Sequence, residues 1–157
     1  MCFAARSTTE WVARTAAEYG PPYVTGQRPI VYGGLCSGLE TPVEALRQLL
    51  PGNGLRHFFS CDKKNHCKDF VHSNFAPEMW FHTVSLLRQA IEDMGGPQKF
   101  LHTVGGMLDV LAAGFPCQPY SLASSTSSDP TRGGFQDERA DVFFEIIAVI
   151  RALHFRP

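Results

Sequence analysis

Asp109-Val110-Leu111-Ala112-Ala113-Gly114-Phe115-Pro116-Cys117-Gln118-Pro119-Tyr120-Ser121 is an apolar run that passes into a turn and hangs a cysteine between two prolines. The run Asp109 to Ala113 predicts a buried parallel strand, and open α/β sheets bind ligands beyond the carboxyl ends of such strands. Cys117 falls in that place. Pro116 fixes its own backbone angle and biases Phe115 toward extended geometry, and Pro119 does the same for Gln118, so the thiol is held on a stiff loop. Rigid presentation suits covalent catalysis. Cys117 is therefore a candidate nucleophile, whereas Cys2, Cys61 and Cys67 fit the commoner role of a small buried hydrophobe.

Two segments upstream repeat the pattern of an apolar run ending in polar residues. Pro29-Ile30-Val31-Tyr32-Gly33-Gly34-Leu35-Cys36-Ser37-Gly38-Leu39-Glu40 reads as a strand, a glycine-rich turn and the approach to a helix. Glycines let backbone turn sharply and approach a ligand, and the helix behind offers unpaired N–H groups. Thr41-Pro42-Val43-Glu44 carries a proline and an acid suited to a first helical turn. His57-Phe58-Phe59-Ser60-Cys61-Asp62 is a second run, closed by an acid. A carboxylate there can accept hydrogen bonds from both ribose hydroxyls of a nucleoside, which makes Asp62 the candidate ribose ligand. The competing role for Asp62 is the N-cap of a helix over 63–74.

Composition bounds the answer. The 157 residues are 44% hydrophobic and 18% charged, enough for one core and at most one domain. A formal net charge of −1 argues against a free-standing, strongly basic nucleic-acid clamp. Five cysteines without a secretory pattern favour a reducing, intracellular compartment, nuclear in a eukaryote and otherwise cytoplasmic, and no segment reads as a membrane span. Cys61, His66, Cys67 and His72 crowd one stretch, but their spacing fits no common zinc pattern, so no metal is expected. Residues 7–19 predict a capped helix in an extension over 1–28. The stretch between Ser121 and Gly134, rich in Ser, Thr, Asp, Pro and Gly, reads as a loop. Val142, Ile146, Ile147, Ile150 and Leu153 then recur at helical spacing as a core-facing stripe.

Gly-Phe-Pro-Cys-Gln-Pro-Tyr-Ser resembles the catalytic loop of the cytosine carbon-5 DNA methyltransferases, and the other segments follow in that family's order from Pro29 to Pro157. The resemblance implies an α/β, Rossmann-like, S-adenosylmethionine-dependent methyltransferase fold with a partial doubly wound, mainly parallel sheet. Strands are expected near 29–33, 57–61, 101–104 and 109–114, and helices near 40–50, 63–74, 84–94 and 141–153. It implies that Tyr32, Gly34, Leu35, Ser37 and Gly38 cradle the methionine part of S-adenosylmethionine, that Asp62 holds the ribose, and that Gly114 and Pro116 complete the cofactor site. Cys36 is read as packing. Gln118, Ser121 and Arg139 would contact the substrate cytosine. Two departures are visible: Lys63 follows Asp62 where the family more often has an apolar residue after a glutamate, and Thr83 stands where the family has an adenine-binding aspartate.

In the family's chemistry a cysteine thiolate adds to carbon 6 of a flipped-out cytosine, carbon 5 takes the methyl group, and a glutamate in a Glu-Asn-Val segment protonates the ring. Cys117 supplies the thiolate, and the 157 residues contain no Glu-Asn-Val. The resemblance therefore implies residues 29–157 as the front part of a methyltransferase domain, inactive alone. A fragment, a truncated gene and half of a split or permuted enzyme are all open, and in the split case a second chain would supply the remainder. DNA is the expected substrate. A tRNA cytosine-5 methyltransferase and a non-catalytic nucleotide- or partner-binding module are the alternatives.

Overall fold

The computed structural model describes residues 28–50, 52–116 and 140–154. The expected helix over 7–19, Cys117, Gln118, Ser121, the following loop and Arg139 lie outside the described residues. The element order is β1 (Ile30–Leu35), α1 (Thr41–Leu49), β2 (Leu55–Cys61), α2 (Asn65–Asn74), β3 (Met79–Phe81), α3 (Val84–Asp93), α4 (Pro97–His102), β4 (Val110–Ala113) and α5 (Asp141–His154).

The four strands form one sheet in the order β3-β2-β1-β4, and every pair is parallel. The chain walks outward from β1 to β3, then returns to the other side of β1. The strand order thus reverses between β1 and β4, where an open α/β sheet leaves a crevice at its carboxyl end. Helices cover both faces, as the continuous apolar runs of the strands require. On one face Val31, Leu35, Phe58, Phe59 and Cys61 meet Val84, Leu87 and Ile91 of α3, Phe100 and Leu101 of α4, and Ile146 and Val149 of α5. On the other, Tyr32 packs with Val43 of α1, Val71 of α2 and Phe75. A register shift between Tyr32 and Gly33 accompanies the close approach of the Phe59 ring, which a side chain at Gly33 would strike. This is a Rossmann-like α/β architecture.

The described elements differ from the expected ones in three places. The expected strand over 101–104 is instead the end of α4 and the turn after it, because Gly96 at φ 101° and Pro97 at the first helical turn start a helix that buries Phe100 and Leu101. β3 was not anticipated: three residues give too short an alternation to register as a strand. On α5, Val149 rather than Ile147 joins the buried set, while Val142, Ile150 and Leu153 pack against it as their spacing predicts.

Candidate functional site

β1 leaves the sheet into a turn of unusual backbone. Cys36, Gly38 and Glu40 all have left-handed angles, with φ 52°, 63° and 56°. Only Gly38 takes that conformation without steric cost, so the other two must be held there by their surroundings. Glu40 is held by its side chain. It is 1% exposed, accepts a hydrogen bond from the Tyr32 hydroxyl at 2.6 Å and another from the Ser60 hydroxyl at 2.6 Å, and thereby ties the turn to both central strands. The His57 imidazole lies 2.8 Å from the Ser60 oxygen. Because the Ser60 hydroxyl donates its proton to Glu40, its oxygen is left to accept from the His57 Nε2–H, and burial lowers the His57 pKa. Burial, then the Glu40 carboxylate, push the Tyr32 phenol far up, so it remains a donor.

Asp62 sits one residue beyond β2 and reaches across to this turn. Its Oδ2 accepts from the Gly38 N–H at 3.2 Å and its Oδ1 from the Lys64 N–H at 2.9 Å. The N-cap of α2 is Lys64, without a side-chain cap bond, so Asp62 is placed ahead of the helix rather than on its cap position. On the other side of β1, the Gly114 N–H donates to the Leu35 carbonyl at 2.8 Å. A Cβ at Gly114 would stand 2.8 Å from the Cys36 carbonyl oxygen, so the two turns can meet this closely only with glycine there.

Between these turns opens a cavity of about 740 Å³. Its walls are Cys36 and Gly38 of the first turn, Cys61 and Asp62 at the end of β2, Thr83 to Ser85 at the start of α3, and Gly114 to Pro116 after β4. Val142 and Glu145 of α5 close it, and the Ser85 hydroxyl bonds the Glu145 carboxylate. A volume in the range of about 300–1,000 Å³ and a largely apolar wall with a few convergent polar groups suit a nucleoside-sized ligand.

The structure brings Gly38, Asp62, Gly114 and Pro116 of the predicted set together around this cavity. Tyr32, Gly34 and Leu35 lie beneath it, buried in β1, and Ser37 is half-buried in the turn, where its carbonyl accepts from the Glu40 N–H at 3.2 Å. Gly34 matters through Glu40: a Cβ there would collide with the Glu40 carboxylate. Cys117 follows Pro116 in sequence and, with Gln118, Ser121 and Arg139, lies outside the described residues. Thr83 lines the cavity, and its hydroxyl also caps α3 by accepting from the Leu86 N–H at 3.2 Å.

Three contributors escape a reading of the sequence alone. Glu40, just before Thr-Pro, looks like an ordinary first-turn acid; only its left-handed backbone and two short bonds reveal a buried strut. Val142 belongs to the stripe expected to face the core and Glu145 carries no expected role, yet both, on the first turns of α5, wall the cavity. The signal available was position, since α5 follows the strand whose turn opens the site.

Among the described residues, no group of three or more histidine, cysteine or acidic side chains is placed to hold a metal ion. Nor, among them, is any helix long and apolar enough to cross a membrane. A family model described as C-5 cytosine-specific DNA methylase matches residues 35–154. The chain is 42% identical over 55 residues to the Type II methyltransferase M.HpaII of Haemophilus parainfluenzae, covering 35% of this chain and 12% of that protein. It is 46% identical over 44 residues to the Type II methyltransferase M.HaeII of Haemophilus aegyptius, covering 28% of this chain and 12% of that protein. The matched stretches thus span only a small part of either relative, and these matches do not favour the tRNA alternative. With a family match running from the end of β1 through α5, the chain belongs to the C-5 cytosine-specific DNA methylases.

Proposed function

We propose that the cavity at the β1/β4 switch point binds S-adenosylmethionine and that Cys117 is the nucleophile that carries cytosine, within DNA, through carbon-5 methylation. The observation that carries this reading is the pairing of two turns across one cavity: Gly38 bonded to Asp62 on one wall, and Gly114-Phe115-Pro116, which leads into Cys117, on the other.

The chain's own residues fit such a cofactor. Asp62 spends one acceptor direction of each oxygen on backbone N–H groups, which orients the carboxylate and leaves acceptor capacity for ribose hydroxyls. Val84, Phe115 and Val142 supply apolar wall for a base, and Thr83 offers a neutral hydroxyl there. When bound, S-adenosylmethionine supplies an electrophilic methyl group. The Cys117 thiolate adds to carbon 6 of cytosine, which makes carbon 5 nucleophilic toward that methyl; loss of the carbon-5 proton and elimination of the thiolate then release the product. Ring protonation in this scheme belongs to a glutamate of a Glu-Asn-Val segment, and general acid catalysis of this kind contributes roughly 100- to 10,000-fold. Methylation by the 157 residues alone is accordingly proposed to be negligible, and a second chain carrying that segment to restore it.

Duplex DNA of mixed sequence with fluorine at carbon 5 of its cytosines tests this, since fluorine cannot leave as the proton does and the adduct is trapped. With cofactor and a co-expressed chain bearing Glu-Asn-Val, the trapped peptide should contain Cys117, and Cys117→Ser should abolish trapping. Trapping on Cys36 or Cys67, or trapping that survives Cys117→Ser, overturns the proposal.

A further inference from the structure

Three thiols line the cavity, those of Cys36, Cys61 and Cys67, and the methyl-transfer scheme uses none of them; Cys36 and Cys61 are joined through their backbones. The Cys36 N–H donates to the Cys61 carbonyl at 2.6 Å, one step beyond the Leu35–Cys61 pair that ends the β1/β2 ladder. Neighbouring strands run about 4.8 Å apart. Disulfides accept Cα separations of about 4.4–6.8 Å, so backbone spacing of this kind falls within their reach. Both residues line the same cavity and pack in the same apolar cluster. Their exposure differs: Cys36 is half-buried at the cavity wall, whereas Cys61 is 1% exposed.

The two thiols are chemically unequal. A hydrogen bond with Cys61 holds the Cys36 thiol below its ordinary range, outweighing burial; the same bond, with burial, pushes Cys61 up. Cys36 is thus the more thiolate-like and the more reachable of the two, and Cys61 is a protonated thiol waiting beside it. Burial also pushes the Cys67 thiol up.

We propose that Cys36 and Cys61 form a site of reversible oxidation by hydroperoxides, and that its disulfide state closes the cavity to an adenosine-bearing ligand; the second clause rests on the cofactor reading above. The Cys36 thiolate attacks one oxygen of hydrogen peroxide, the O–O bond breaks, and the departing hydroxide takes a proton to become water. Cys36 is then a sulfenic acid. The Cys61 sulfur attacks the Cys36 sulfur, the S–O bond breaks, and the hydroxyl leaves with the Cys61 proton as a second water. In sum, two thiols and one hydrogen peroxide give one disulfide and two waters. A small-molecule dithiol reverses the step by exchange.

The closing follows from what Cys36 touches. It opens the left-handed turn that presents Gly38 to Asp62, and its carbonyl abuts Gly114. Drawing Cys36 onto Cys61 therefore displaces both walls together.

The test uses the whole chain, reduced and then treated with hydrogen peroxide, with remaining thiols alkylated before digestion and mass mapping. The expected product is a Cys36–Cys61 linked peptide lacking two hydrogens, absent after dithiol treatment. Cys61→Ser should instead leave a Cys36 sulfenic acid that a cyclic dione captures, and dione capture on the unmodified chain at short times gives the same information should that variant not fold. Calorimetric titration with S-adenosylhomocysteine should show binding to the reduced chain, loss after oxidation and recovery on reduction. Cys36 linked to Cys67 or Cys117, or no disulfide at all, overturns the oxidation site. A Cys36–Cys61 disulfide with unchanged affinity overturns the closing. If neither redox state binds, the cofactor reading fails, and the closing with it, while the linked peptide still decides the oxidation site.

Discussion

Glu40 shows how a single residue can hold the turn beside the cavity in place. A carboxylate that is 1% exposed is costly to bury, and here two hydroxyl donors on adjacent strands offset the cost while holding a left-handed backbone that glycine would otherwise occupy. Removing one donor leaves that charge under-satisfied. Tyr32→Phe is accordingly expected to lower stability by about 1–3 kcal/mol, the usual cost of orphaning a buried polar partner. Urea unfolding monitored by circular dichroism checks this, and a variant as stable as the parent would mean that Glu40 is satisfied by other means. At this scale the sequence was legible where chemistry dictates residue type, as with Asp62 at a strand end. It was illegible where an ordinary-looking acid turns inward, because nothing in Gly-Leu-Glu-Thr-Pro distinguishes a buried glutamate from a solvated one.

Elements were legible in proportion to their length and apolar continuity. β1, β2 and β4 match their expected positions within a few residues because each is an apolar run bounded by polar or turn-forming residues, α1 because a proline and an acid suit its first turn, and α5 because its apolar positions keep helical spacing, while α2 and α3 follow the order that the resemblance implies. β3 and α4 escaped because three and six residues carry too little pattern. The start of α3 illustrates a residue with two readings. The resemblance read from the sequence implies an adenine contact for Thr83; in the fold its hydroxyl caps the helix while facing the cavity. Thr83→Ala should cost about 1 kcal/mol through loss of the cap. Thr83→Ser, which keeps the oxygen, should recover most of it. Thermal unfolding of the two variants separates the cases, and equal losses would show that the methyl group rather than the hydroxyl matters.

Across the molecule, two titrating groups divide the acid response into separate windows. Burial lowers the His57 pKa below its ordinary 6.5, so the unfolded chain takes up a proton there before the native state does. The stability His57 contributes is whole above that pH and is lost as pH falls below it. The Arg28 hydrogen bond, at 2.5 Å from Arg28 Nη2 to Asp109 Oδ1, holds the Asp109 carboxyl below its ordinary value, so that contribution persists until strongly acid pH. The melting temperature should therefore begin to fall on going from about pH 7 to about pH 5, and His57→Gln should flatten that first decline while leaving the acid-range decline. A parent melting temperature constant over the first interval would contradict a buried neutral His57.

The parallel sheet, its β3-β2-β1-β4 order and the cavity where that order reverses give the site its place, and the family match supports the chemistry proposed for it. Asp62 and the two facing turns are proposed to hold an adenosine-bearing methyl donor. Isothermal titration of the reduced chain with S-adenosylmethionine, set beside Asp62→Ala, tests it most directly. Saturable one-to-one binding to the parent is expected, with a loss of at least about tenfold in Asp62→Ala, equivalent to about 1.4 kcal/mol of hydrogen bonding to the ribose. Equal affinity of parent and Asp62→Ala, or no binding by a parent shown to be folded, would contradict it.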